Sequence, residues 1–232
     1  MRYLGGKKRF AAQLIQAMQP TPEDTFVEPF CGGCAVIQRV PCHRRIANDI
    51  HPNLISLLEA VSQGWQPPST LSLEEWRALR ERARNGEVAP EIGFAGFGCS
   101  YGSRWFEGYA RSQRGNPEST IPRSAAQSLV REAPLLAGIE FHCGPYTDLD
   151  IPPGSIIYLD PPYQDTKGYS GTAKFDHETF YAWCDIMAES CTLYLSEQTA
   201  PPHWRCIWEH SRLTRLDQDG ERKPVMERLW TL

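Results

Sequence analysis

The run Ser155-Ile156-Ile157-Tyr158-Leu159-Asp160-Pro161-Pro162-Tyr163 constrains this chain more than any other. Ser155 to Leu159 is a short apolar, β-branched and aromatic stretch, which reads as a buried strand. It then meets a carboxylate, two prolines and a tyrosine. Proline has no N–H to give a sheet ladder, so the chain must leave the sheet at Asp160. In open α/β sheets, ligands sit outside the carboxyl ends of strands. The run therefore predicts an acid, a proline carbonyl and an aromatic face at the rim of a pocket. Such a set suits a planar ring amine, a poor nucleophile because its lone pair is delocalised. The Asp160 carboxylate and the Pro161 carbonyl can accept from its N–H groups and draw the nitrogen toward tetrahedral geometry, while Tyr163 stacks on the ring. A proline-rich turn with no chemistry fits the same four residues.

The chain's 232 residues suffice for one sizeable α/β domain with an insertion, or for two small domains. A net charge of -4 gives no global basic field, so any nucleic-acid binding must rest on a local patch. No apolar run approaches the ~20 residues of a membrane span, and no signal-peptide pattern opens the chain. Eight cysteines without secretory features predict free thiols in a reducing cytoplasm.

Hydrophobic spacing predicts a helix over 7–19, a strand at Thr25 to Val27, a helix at Ala35 to Val40, a strand at Arg45 to Ala47 and a helix over 52–63. This alternation is the pattern of parallel α/β units. It breaks over 64–138. A helix there opens at Ser72 with Glu75 three residues on, and closes at Asn85-Gly86. Phe94 to Gly115 is rich in Gly, aromatics and Arg and reads as a long irregular segment, followed by a helix from Pro122 to Leu136. The pattern resumes with strands at Ile139 to Cys143 and Ser155 to Leu159, a helix capped by Asp176, and strand-like runs at Cys191 to Ser196, Trp204 to Glu209 and Val225 to Leu232. Residues 65–138 are thus expected to form an inserted subdomain between 1–64 and 139–232.

The first strand leads into Glu28-Pro29-Phe30-Cys31-Gly32-Gly33-Cys34. Glycines between strand and helix let backbone approach a ligand and present N–H groups to a carboxylate. Asp49 ends the second strand, where an acid accepts from ribose hydroxyls. A Gly-Gly pair is also an ordinary turn, and Asn-Asp an ordinary strand end. Their order along the chain adds weight: glycine turn, acid, then Asp-Pro-Pro-Tyr.

In that order the motifs Tyr3-Leu4-Gly5-Gly6-Lys7, Phe26 to Gly33, Asn48-Asp49 and Asp160-Pro161-Pro162-Tyr163 resemble the Dam-type (D12 class) DNA adenine-N6 methyltransferases, with a weaker match at Thr147-Asp148-Leu149. The resemblance implies a Rossmann-like methyltransferase fold with a mixed sheet, an inserted, mainly helical target recognition domain at 65–138, and S-adenosylmethionine as cofactor. It implies that Tyr3, Gly5, Gly6, Lys7, Glu28, Pro29, Phe30, Gly32, Gly33, Asp49, Asp148 and Asp160 bind the cofactor. Asp160, Pro161, Pro162 and Tyr163 would handle an adenine extruded from duplex DNA. The chain departs from the family at Cys34, where a further glycine is usual. A Cβ there is tolerated at negative φ and strained at positive φ.

Other chemistries fit less well. Cys31-x-x-Cys34 has no second Cys pair to complete a zinc site, so no metal is expected. The six histidines are scattered and complete no catalytic triad pattern. Within 95–131, Arg104, Arg111, Arg114, Arg123 and Arg131 stand against Glu107 and Glu118. Arg104, Arg111 and Arg114, with Tyr101 and Trp105 among them, suit phosphate contact, base reading and filling the hole left by an extruded base. The aromatics suit a small core under a loop equally well. Cytosine N4, an RNA adenine or a protein glutamine amide are alternative acceptors, and a DNA-binding module without catalysis is a further alternative. A monomer or weak dimer is expected.

Overall fold

A computed structural model describes residues 6–112, 116–162, 175–213 and 224–232. Its centre is one seven-stranded sheet. The strands are β1 (Thr25–Glu28), β2 (Arg44–Asp49), β3 (Ile139–Cys143), β4 (Ile156–Leu159), β5 (Thr192–Ser196), β6 (Arg205–Leu213) and β7 (Pro224–Thr231). Their order is β3-β2-β1-β4-β5-β7-β6. β1 to β5 run parallel, while β7 is antiparallel to both β5 and β6. This is a Rossmann-like mixed α/β sheet. The chain runs outward from β1 to β3 and returns to β4 on the other side of β1. The order therefore reverses between β1 and β4, and a crevice opens at their carboxyl ends.

Both faces of the central strands are buried, with the period of two that strand geometry imposes. Phe26, Ala47, Ile156 and Tyr158 join one core, and Val27, Ile46, Ile157 and Leu159 join the other. The register sets Val27 beside both Ile46 and Ile157. The first core is covered by α1 (Ala11–Met18), α2 (Pro52–Ser62), α3 (Leu73–Arg84), α4 (Pro90–Gly93) and α5 (Pro117–Leu136). The second lies under α6 (His177–Ala188), whose N-terminus Asp176 caps by accepting from the Glu178 and Thr179 N–H groups at 3.1 Å.

The stretch read as an insertion has no core of its own. Trp76, Leu79, Ile92, Phe94, Phe97 and Leu129 pack in the same cluster as Leu54, Leu57, Leu58 and Val61 of α2. Asn53 fixes that contact: its side chain accepts from the Ala89 N–H at 2.9 Å and donates to the Glu87 carbonyl. The capping box at Ser72 and Glu75 forms as the sequence predicts. Three local expectations change. The first helix splits into a 3₁₀ turn at Lys7–Arg9 followed by α1. Ala35 to Val40 holds only a 3₁₀ turn at Ile37–Arg39. The helix expected from Pro122 begins at Pro117, under an Asn116 cap. Pro122 cannot donate to the Glu118 carbonyl one turn back, and that carbonyl accepts from the Leu71 N–H instead, at 2.9 Å. Among the described residues, no helix is long and apolar enough to cross a membrane.

The close approach of α4 to α2 rests on Gly93, where an added Cβ would lie 2.1 Å from the Asn53 carbonyl oxygen. Gly93→Ala is expected to destabilise the protein by about 1–3 kcal/mol. Urea denaturation reads this directly, and an unchanged midpoint would refute the packing argument.

Candidate active site

Three carboxylates end three strands at the crevice. Glu28 closes β1, Asp49 closes β2 and Asp160 follows β4. By the alternation of each strand they share the face of Phe26, Ala47 and Tyr158. Lys7, on the 3₁₀ turn before α1, reaches across this edge and donates to Asp160 Oδ1 at 2.6 Å. The pair is largely enclosed, with side-chain exposures of 9% for Lys7 and 19% for Asp160.

Burial governs the protonation of all three acids. It pushes the Asp160 carboxyl above the usual range, and the Lys7 ammonium opposes it. It pushes Glu28 well above that range, against the Ile37 N–H that donates to it at 2.9 Å. Asp49 is raised by burial too, against the N–H groups of His51 and Gly32, each 3.0 Å away. Like charges gathered in a partly dry crevice favour a cationic ligand, or shed charge by binding protons.

The turn after β1 is held by its neighbours. Asn48, buried at the end of β2, donates to both the Pro29 and Gly144 carbonyls at 3.0 Å. It thereby ties the exits of β1 and β3 together. The Cys31 N–H donates to the Asn48 carbonyl at 2.8 Å. The motif Asn48-Asp49 was visible in the sequence, but this double staple was not, because its acceptors are carbonyls of distant turns. Gly32 has φ 46° and Cys34 has φ 54°, both in the left-handed region. The position where the resembled family has glycine is thus one where a Cβ is strained. Cys34 is also fully buried.

The other expected site residues fall as follows. Gly6 is exposed beside Lys7, Pro29 is buried, and Gly33 is half-buried in the turn. Phe30 joins an aromatic cluster, its ring centroid 5.1 Å from Tyr146 and 5.8 Å from Phe180. Asp148 is exposed on the turn after β3, where its carboxylate accepts from Thr147 Oγ1 at 3.0 Å. Pro161 is buried and Pro162 exposed. Tyr3, Gly5, Arg114 and Tyr163 lie outside the described residues. Ile50 was missed: it follows Asp49 and is 67% exposed, an apolar side chain left in water at the crevice.

The Arg- and aromatic-rich segment divides. Tyr101, Arg104 and Arg111 are exposed, and Arg104 pairs with Glu107 at 3.1 Å. Trp105, suited in sequence to DNA contact or to an aromatic core, has the core placement. Its ring stands 4.2 Å from His51, 4.7 Å from Phe106 and 4.9 Å from Phe97, centroid to centroid. Gly96 leaves the room, since a Cβ there would meet the Trp105 ring at 2.2 Å. His51, two residues past Asp49, is pushed down to about 4 by burial and is neutral at physiological pH. Through it, the aromatic segment abuts the end of β2. Among the described residues, no group of three or more His, Cys, Asp or Glu is placed to hold a metal ion.

The strain at Cys34 is testable by comparing two truncations. Cys34→Ala keeps the Cβ and Cys34→Gly removes it, and both lose the thiol. Glycine is expected to be the more stable of the two by about 1 kcal/mol, against its usual entropic disadvantage. Thermal melting of the pair decides, and a more stable alanine variant would remove the strain argument.

Residues 3–85 match the family model described as D12 class N6 adenine-specific DNA methyltransferase. Comparison with curated proteins gives no match. Among solved structures, the rRNA methyltransferase AviRa from Streptomyces viridochromogenes is 15% identical, with 95% of this chain and 84% of that chain covered at a TM-score of 0.40. PH1948 from Pyrococcus horikoshii, described as a candidate RNA methyltransferase, is 7% identical, with 97% and 81% covered at a TM-score of 0.40. SMU.472, described as a candidate methyltransferase and solved with SAH, is 13% identical, with 98% and 52% covered at 0.39. Such distant likenesses carry no argument about this chain, whose fold rests on its own strand order. The resemblance to the D12 class of N6 adenine-specific DNA methyltransferases is shown over residues 3–85, the stretch that holds Lys7, the glycine turn and Asp49.

Proposed function

We propose that this methyltransferase moves a methyl group from S-adenosylmethionine to the N6 amine of an adenine extruded from duplex DNA. The observation that carries the reading is the buried Lys7–Asp160 pair at the β1/β4 crevice, directly before Pro161 and Pro162. The cofactor fits the site by charge and by shape. Its ammonium and sulfonium are cations suited to a crevice that carries Glu28, Asp49 and Asp160, and the turn with left-handed Gly32 and Cys34 would let backbone approach its amino-acid end. When bound, it supplies an electrophilic methyl on a positively charged sulfur.

The chain's residues do the positioning. Asp49 accepts from the ribose hydroxyls. Lys7, Glu28, Gly32 and Gly33 border the methionine part, with Tyr3, Gly5, Gly6, Pro29 and Phe30 around it. Ile50 lays an apolar side chain beside the adenine ring of the cofactor, and Asp148 reads that ring's polar edge. Asp160 accepts from the target amine through its carboxylate, the Pro161 carbonyl accepts the second N–H, and Tyr163 stacks on the base. Lys7 keeps Asp160 ionised against the pull of burial, so that it remains an acceptor.

Segment 65–138 serves as the target recognition region. Arg104, Arg111 and Arg114 contact phosphate or guanine, and Tyr101 is the aromatic that reaches the duplex. Trp105 acts from behind, as packing for that loop. The enzyme would act in the cytoplasm as a monomer or weak dimer.

Treated DNA, digested to nucleosides and analysed by mass spectrometry, is expected to contain N6-methyladenine as the only new methylated base. Asp160→Ala is expected to lower its yield by about a hundredfold or more. N4-methylcytosine as the main product, or methylation of RNA in place of DNA, would overturn the acceptor. A second expectation concerns pH. Without the Lys7 ammonium, the Asp160 carboxyl rises further. The acid limb of kcat/KM in Lys7→Met should therefore move to higher pH than in wild type, with the greatest loss of rate on the acid side. A parallel loss at every pH would mean that Lys7 acts on the cofactor alone.

A further inference from the structure

Arg123, Gln127 and Arg131 follow one another at i, i+4 and i+8 on α5, and all three are exposed. At ~1.5 Å rise per residue the two guanidiniums are anchored about 12 Å apart. With Ser69, Ala126 and Val130 they line an open groove of about 480 Å³. Among the described residues, neither arginine has an ion-pair partner. Glu132, the acid next to Arg131, is buried and turned to Lys8, which donates to it at 2.6 Å.

Lys8 brings this ridge to the reaction centre. Burial lowers its pKa, and the charges of Arg39 and Arg131 lower it further. Lys7 and Lys8 are adjacent, their Cα atoms ~3.8 Å apart. Lys7 reaches Asp160 and Lys8 reaches Glu132. The last turns of α5 are thus one lysine side chain from the backbone that also holds the acceptor acid.

We propose that the ridge Arg123–Gln127–Arg131, with Lys8 at its end, is a second phosphate-backbone contact, which grips the duplex DNA flanking the target base. The inference rests on duplex DNA being the substrate and extends the interface beyond Arg104, Arg111 and Arg114. A span of ~12 Å lets the two guanidiniums reach separate phosphates of the duplex backbone, which carries one charge per ~3.4 Å of axis on each strand. Guanidiniums match phosphate oxygens in pairs, Gln127 donates to a third phosphate, and Val130 offers an apolar face to a sugar.

The test measures the salt dependence of binding to a duplex that the wild-type enzyme methylates. Each phosphate contact contributes a slope of ~-0.9 in log K against log salt. The double variant Arg123→Ala/Arg131→Ala is expected to lose ~2 units of that slope. Arg123→Lys/Arg131→Lys is expected to keep it, and S-adenosylmethionine affinity and melting temperature should match wild type in both. An alanine variant with the wild-type slope, in an enzyme that still forms N6-methyladenine, would overturn the ridge alone. A wild-type protein that neither binds nor methylates duplex DNA would overturn the ridge together with the proposed substrate.

Discussion

An ammonium and a carboxylate, enclosed together where the sheet reverses direction, are the contact on which the crevice depends. Lys7 and Asp160 are 153 residues apart and meet at 2.6 Å. Each would be costly to bury alone, and each makes the burial of the other tolerable. The arrangement binds the N-terminal turn to the exit of β4. Glu28, Asp49 and Asp160 all fall on the face that Lys7 approaches. Three acids against one lysine make a crevice that a cationic ligand would suit.

Around that contact the backbone is held by hydrogen bonds that do not belong to the sheet ladder. Asn48 joins the exits of β1 and β3, and Asp49 anchors the N–H groups of Gly32 and His51. These bonds hold the turn in a conformation that glycine takes freely and cysteine does not. Local strain at Cys34 persists because the surroundings over-determine it, as strain at functional sites commonly does.

The segment between β2 and β3 is built into the fold. Its helices share a core with α2, its π turn at Phe94–Gly98 receives Trp105, and His51 bridges that aromatic cluster to the strand end that carries Asp49. A loop presenting Tyr101, Arg104 and Arg111 is therefore mounted on the same packed unit as Asp49. Movement of one without the other would open the core.

Much of this was legible in the amino-acid order. Proline after Asp160, glycines after Glu28 and the end of the apolar run at Asp49 mark strand exits, because chain direction, φ restriction and the two-residue period are local properties. Those signals placed the strands, the acids and the interrupted alternation at 65–138. Other features depend on which distant groups become neighbours, and spacing along the chain does not contain that information. The grip of Lys7 on Asp160, the double role of Asn48, the left-handed φ of Cys34 and the packing of Trp105 into Gly96 were decided only once strand order and helix contact were set. The same holds for α5. Its arginines were visible as charges, but their alignment on one exposed face, and their link to the site through Lys8 and Glu132, come from the tertiary fold, since the packing of α5 turns Glu132 inward to Lys8 and leaves Arg123 and Arg131 on the surface.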